Sequence, residues 1–184
     1  MGDEDRTDLS FSQIGALRDG TPLTIRVMRP DDCDRIVAAF GKLDADTIYT
    51  RFFSHRKEIP AAALARIAAI DFVNLASLVA TIGSGAGETV IASATYVGIP
   101  AADNAKAAEV AFTVEEDYQR QGLGGKLLAA LAVLARRHGI VRFEAEVLAG
   151  NSAMLSVFQR SGLPMHRRAE GGTVHITLEL GPPA

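Results

Sequence analysis

The chain of 184 residues is 48% hydrophobic and 22% charged, which is enough apolar material for one well-filled core and short of two ordinary domains. A formal net charge of −3 and a pI near 5.8 argue against a sequence-independent nucleic-acid binder. The single cysteine, Cys33, excludes an internal disulfide, and with four scattered histidines it builds no metal-ligand pattern.

In chain order, residues 1–20 are polar and read as a flexible tail. The stretch MGDEDRTDLSF is acidic where a signal peptide would be basic and then apolar, and no apolar run has the length of a membrane span. The expectation is a cytoplasmic protein with neither a membrane nor a nucleic acid as partner. Residues 21–184 read as one domain. LTIRVM (23–28) alternates as a strand, and RPDD then opens a helix with Asp31 as its N-cap and Ile36, Val37, Phe40 and Leu43 on one face. DADTIYTRFF (44–53) reads as a second helix, and Pro60 opens a third carrying Leu64, Ile67 and Ala68. LASLVATIG (75–83) and ETVIASATYVG (88–98) are strands joined by SGAG, a hairpin-turn composition. AAEVAFTV (107–114) is a further strand, a glycine-led helix runs to Gly139, and VRFEAEVL (141–148) is a strand again. NSAMLSVFQRSG (151–162) is a short helix and GTVHITLEL (172–180) a last strand. The strand–helix–strand unit from Ala107 to Leu148 enforces parallel pairing. The fold class is therefore α+β: a mixed, mostly antiparallel sheet with one parallel βαβ crossover and helices on both faces.

The segment EEDYQRQGLGGKLL (115–128) places three glycines at the start of that helix, although glycine is about 1 kcal/mol worse than alanine there. A nucleotide P-loop fails, because Arg120 occupies the first glycine position and Leu127 the hydroxyl position. A dinucleotide fingerprint fails at its third glycine, again Leu127. Gln119, Gly122 and Gly124 match instead the pattern Gln/Arg-x-x-Gly-x-Gly/Ala. At a helix start, amides from Gln121 to Gly125 have no intrahelical partner and face the positive dipole end, so bare glycines there let two phosphates approach. A glycine entry used only for tight packing on the strand is the alternative.

On these residues the chain resembles the GNAT superfamily of acyl-CoA transferases. IRVMRPDDCDRI, EIPAAALARIAAID, AEVAFTVEEDYQRQGLG and NSAMLSVFQRSGL are similar to the acetyltransferase domain of bacterial Pat-type protein lysine acetyltransferases. The resemblance spans residues 23–180 and implies acetyl-CoA as acyl donor, no metal, and an amine acceptor such as a lysine of a metabolic enzyme, for instance an acyl-CoA synthetase. A small-molecule amine acceptor, or a non-catalytic acyl-CoA sensor, is an alternative. The resemblance also implies that the main chain of Phe112, Thr113 and Val114 pairs with pantetheine, and that Gln119, Arg120, Gln121, Gly122, Leu123, Gly124, Gly125 and Lys126 form the pyrophosphate loop. Asn151 would touch the pantetheine arm, with an N-cap as its alternative role. Glu109 would be the general base, its alternative being a solvated strand-end carboxylate. Phe158 stands where many relatives carry a tyrosine general acid; having no proton to give, it would pack against the thioester arm, with a plain core role as its alternative, leaving water or a hydroxyl such as Ser152 or Ser156 to assist the thiolate. Glu115, Glu116 and Asp117 read as solvated. Tyr49, Arg51 and Phe52 are candidates for the acceptor groove.

Overall fold

The computed structural model describes residues 9–52, 59, 61, 65, 70–101, 103 and 105–181. Its strands are β1 (Ser12–Ala16), β2 (Pro22–Val27), β3 (Leu75–Ile82), β4 (Thr89–Ile99), β5 (Ala107–Val114), β6 (Arg142–Leu148), β7 (Met165–Glu170) and β8 (Thr173–Glu179). Helices α1 (Cys33–Phe40) and α2 (Ala45–Phe52) follow β2, α3 (Leu123–Arg137) joins β5 to β6, and α4 (Ser152–Gln159) lies between β6 and β7. The described strands make one sheet in the order β1-β2-β3-β4-β5-β6-β8-β7. Every neighbouring pair is antiparallel except β5 with β6, the pair that the crossover helix α3 connects.

Apolar residues on both faces of β3 explain why helices cover both sides. Ala76, Leu78 and Ala80 join the main core, to which α3 contributes Leu127, Leu128, Leu131 and Leu134, all essentially fully buried. Val79 points the other way, into a smaller cluster with Met28 and Val90 that Ile36 and Ala39 of α1 close. Gly139, at φ +75°, ends α3 in the left-handed conformation that glycine adopts most easily.

The feature that positions the site is a fork between the two parallel strands. β5 and β6 pair only at Ala107↔Arg142, Ala108↔Phe143 and Glu109↔Glu144. Both strands run on beyond the last pair, and β5 stays paired with β4 as far as Val114. One edge of β5 from Val110 to Val114 is thereby left without a strand partner among the described residues.

Four details depart from the sequence reading. Ser12–Ala16, inside the expected tail, is a strand paired with β2. Asp31 does not cap α1: Pro30–Asp32 form a 3₁₀ turn, and the neighbouring Asp32 is fully buried. Asp32 accepts two hydrogen bonds from the Arg26 guanidinium, both 2.7 Å, and one from the Arg29 backbone N–H at 2.8 Å. Burial pushes the Asp32 carboxyl up, but the bonds from Arg26 and Arg29 outweigh it and hold the group below the ordinary aspartate value. Val37 is half exposed, so the buried stripe of α1 narrows to Ile36 and Phe40. β7 is a strand the sequence reading did not contain. The helix expected from Pro60, with Leu64, Ile67 and Ala68, lies outside the described residues.

Candidate functional site

Beside the fork lies a cleft of about 630 Å³, within the range of cofactor pockets, about 300–1,000 Å³. Phe112, Thr113 and Val114 line it from β5, Gln119, Arg120, Gly122, Leu123 and Gly124 from the turn into α3, and Asn151 from the head of α4. The free edge of β5 therefore faces open space next to a helix N-terminus.

The loop takes its shape from two left-handed residues, Arg120 at φ +61° and Gly122 at φ +85°, the second standing directly before α3. That conformation is costly for any side chain at 122, and a bare Cα also clears the approach to the amides of the first turn. Gly124 has a different reason to be glycine: a Cβ there would stand 3.0 Å from Cγ2 of Val157 on α4. Packing thus requires glycine at 124, though against helix α4 and not against the strand, and backbone conformation requires it at 122. A Cβ on Gly125 would meet nothing. The Gln119 amide ties the loop down. Its Nε2 donates to Thr47 Oγ1 of α2 at 3.2 Å and to the Val114 carbonyl at 3.3 Å, tying the loop to β5.

Asn151 takes the N-cap role, its Oδ1 accepting the Met154 backbone N–H at 3.0 Å at the head of α4, and it also lines the cleft. Phe158 does not line the cleft. It is 1% exposed and packs edge to face on the cleft-lining Phe112, with ring centroids 5.9 Å apart. Gln121, Gly125 and Lys126 also lie outside the lining, as does Glu109. Glu109 is exposed at the apex of the fork, in the last pair before β5 and β6 part. Alternation along the strand puts its side chain on the sheet face of Thr113, four residues on, which does line the cleft.

Glu115 overturns its reading as solvated. It is 8% exposed, and its Oε2 has no hydrogen-bond partner among the described residues. Burial raises its carboxyl above the ordinary glutamate value, Lys42 opposes, and Asp117 and Glu116 add to the rise. Tyr49 is partly exposed on α2, while the side chains of Arg51 and Phe52 lie outside the described residues. Arg18, Thr47 and Arg160 line the cleft without having been singled out in the sequence. Among the described residues, no three His, Cys, Asp or Glu side chains are placed to hold a metal ion. No helix among them is long and apolar enough to cross a membrane.

The Acetyltransferase (GNAT) family profile matches residues 44–163, which include β5, the glycine loop, α3 and α4. The chain belongs to this family of acetyltransferases. It is 38% identical over 166 residues to Acetyltransferase Pat of Mycolicibacterium smegmatis, covering 90% of this chain and 48% of that protein. This chain thus spans about half the length of that curated relative. The GNAT domain of S. lividans PAT superposes with a TM-score of 0.81 at 35% identity, over 91% of this chain and 96% of that one. The Salmonella typhimurium protein yncA, solved with its cofactor acetyl-CoA, superposes with a TM-score of 0.68 at 22% identity, over 86% of this chain and 94% of its own, and so shares the fold.

Proposed function

We propose that this GNAT domain transfers an acetyl group from acetyl-CoA to a lysine side chain of a protein, with Glu109 as general base. The observation that carries the reading is the fork: a free strand edge and a glycine-opened helix start share one cleft, and an exposed carboxylate stands at the apex. The residues present fit acetyl-CoA. A strand edge without a partner suits the amides of pantetheine, and the entrance to α3 suits a pyrophosphate. When bound, acetyl-CoA supplies a thioester carbonyl carbon for attack. Lysine as the acceptor rests on the likeness to Pat-type acetyltransferases.

The chain's own task is then proton handling. The amine nitrogen forms the new C–N bond only when neutral, and a lysine of pKa near 10.4 is neutral in roughly one molecule in a few thousand at pH 7. Glu109 takes that proton and, being exposed, passes it to water. As the C–S bond breaks, the thiolate collects a proton. Buried Phe158 has none to give, and Ser156, unlike Ser152, lines the cleft.

Glu109→Gln tests the base. Transfer to a lysine peptide at pH 7 should fall by roughly 10² to 10⁴ while acetyl-CoA affinity stays unchanged. The defect should shrink as pH rises toward the pKa of the amine. Full turnover in the variant at every pH would remove Glu109 from the chemistry. A wild-type chain that binds acetyl-CoA and acetylates neither peptide nor small amine would replace the enzyme reading with that of a sensor.

A further inference from the structure

The β1–β2 hairpin lies before the region matched by the family profile, and its tip reaches the cofactor cleft. Its turn is fully built. The Leu17 N–H donates to the Thr21 carbonyl at 2.9 Å, the Gly20 N–H to the Leu17 carbonyl at 3.1 Å, and the Thr21 N–H to Asp19 Oδ1 at 2.9 Å. Gly20 takes φ +90°, and Leu17, 4% exposed, roots the tip in the core. This turn carries Arg18 across to the glycine loop. The Arg18 Nη1 donates to the Arg120 carbonyl at 2.9 Å, and its Nε lies 3.8 Å from where a Cβ on Gly122 would stand.

The guanidinium therefore lies over the left-handed entrance to α3 and lines the cleft. Among the described residues no carboxylate forms an ion pair with it, although Asp44 and Asp46 line the same cleft. One of its five N–H donors is committed to Arg120, and a planar fork of donors matches phosphate oxygens. On the acetyl-CoA reading above, we infer that Arg18 is a ligand of the coenzyme A pyrophosphate, which this guanidinium and the first-turn amides of α3 would hold together. The position over Gly122, at the helix entrance, is what favours the pyrophosphate over the 3′-phosphate.

Calorimetric titration of wild type, Arg18→Gln and Arg18→Lys with CoA and with 3′-dephospho-CoA, at several salt concentrations, tests this. Glutamine keeps an amide donor, on a side chain two bonds shorter, and carries no charge. Arg18→Gln should bind both ligands about tenfold more weakly, a modest loss for an exposed charge-assisted contact. Its affinity should also depend less steeply on salt than that of wild type, and Arg18→Lys should restore the salt dependence and part of the affinity. The inference fails if Arg18→Gln binds both ligands as wild type does, or if the loss appears with CoA alone. It fails equally if affinity drops with the salt dependence intact, since Arg18 would then be a prop for the loop. If wild type binds neither ligand, the acetyl-CoA reading itself falls.

Discussion

Gly124→Ala isolates what the glycine cluster does for packing. The added Cβ would stand 3.0 Å from Cγ2, 3.5 Å from Cγ1 and 3.8 Å from Cβ of Val157, so it wedges against both methyl groups. Valine in a helix has one strongly preferred χ1, so rotation offers little relief and α4 must move. Overpacking of this kind costs about 1–3 kcal/mol, and the helix propensity gained over glycine returns about 1 kcal/mol. The net expectation is a loss of up to about 2 kcal/mol. Gly125→Ala, one residue on, gains propensity into open space and should stabilise by up to about 1 kcal/mol. Urea unfolding of both variants measures the difference, and Val157→Ala combined with Gly124→Ala should recover part of the loss as a coupling energy. Acetyl-CoA affinity should fall in Gly124→Ala, because α4 carries the cleft residues Ser156 and Arg160 or abuts them. If Gly124→Ala proves as stable as Gly125→Ala, the close approach of α3 and α4 is not what requires this glycine.

Two ionisable groups give opposite dependences on pH. The Asp32 carboxyl is held below its ordinary value in the folded chain, so its contribution is present above the unfolded value of about 3.9 and is lost as pH falls through the folded value. Asp32→Asn leaves the buried Arg26 with Glu88, 3.1 Å from its Nε, as its remaining carboxylate partner and should cost about 1–3 kcal/mol at pH 7; urea midpoints that match wild type would refute the buried-pair argument. The Glu115 carboxyl is raised, so folding resists its ionisation, and stability falls as pH climbs from the unfolded value of about 4.3 through the folded one. Glu115→Gln should gain about 1 kcal/mol at neutral pH, and the gain should vanish below about pH 4; an equal gain at both pH values would assign it to packing.

The elements legible in the sequence are those that bury a periodic face. AAEVAFTV matches β5 end to end, and the leucines of α3 mark the core as the helical period requires. β1 and β7 went unread for the opposite reason. SQIGA is exposed at every residue, and MHRRAE at all but Met165, as suits strands at sheet edges, where polar residues discourage further pairing. A local signal did exist: Asp19-Gly20 between SQIGAL and PLTIRV is a hairpin-turn dipeptide. Read that way, it would have placed Arg18 on a turn. Glu115 was misread because acidic residues next to a phosphate loop suggest solvent, whereas the end of β5 carries its side chain beneath the loop.

The fork has no sequence signature, since nothing in AAEVAFTV or VRFEAEVL records that pairing stops after three residues. A physical trace of it remains in the composition of the last pair. Glu109 and Glu144 stand directly opposite each other, an arrangement that destabilises a sheet by like-charge repulsion. Glu144 is compensated by Arg142, whose Nε lies at 3.4 Å. Glu109 has no such ion pair among the described residues. A sequence selected only for stability would place an opposite charge or an apolar residue at 109, and violations of a local rule concentrate where function imposes them. The ladder break and the like-charge pair fall on the same rung, Glu109↔Glu144.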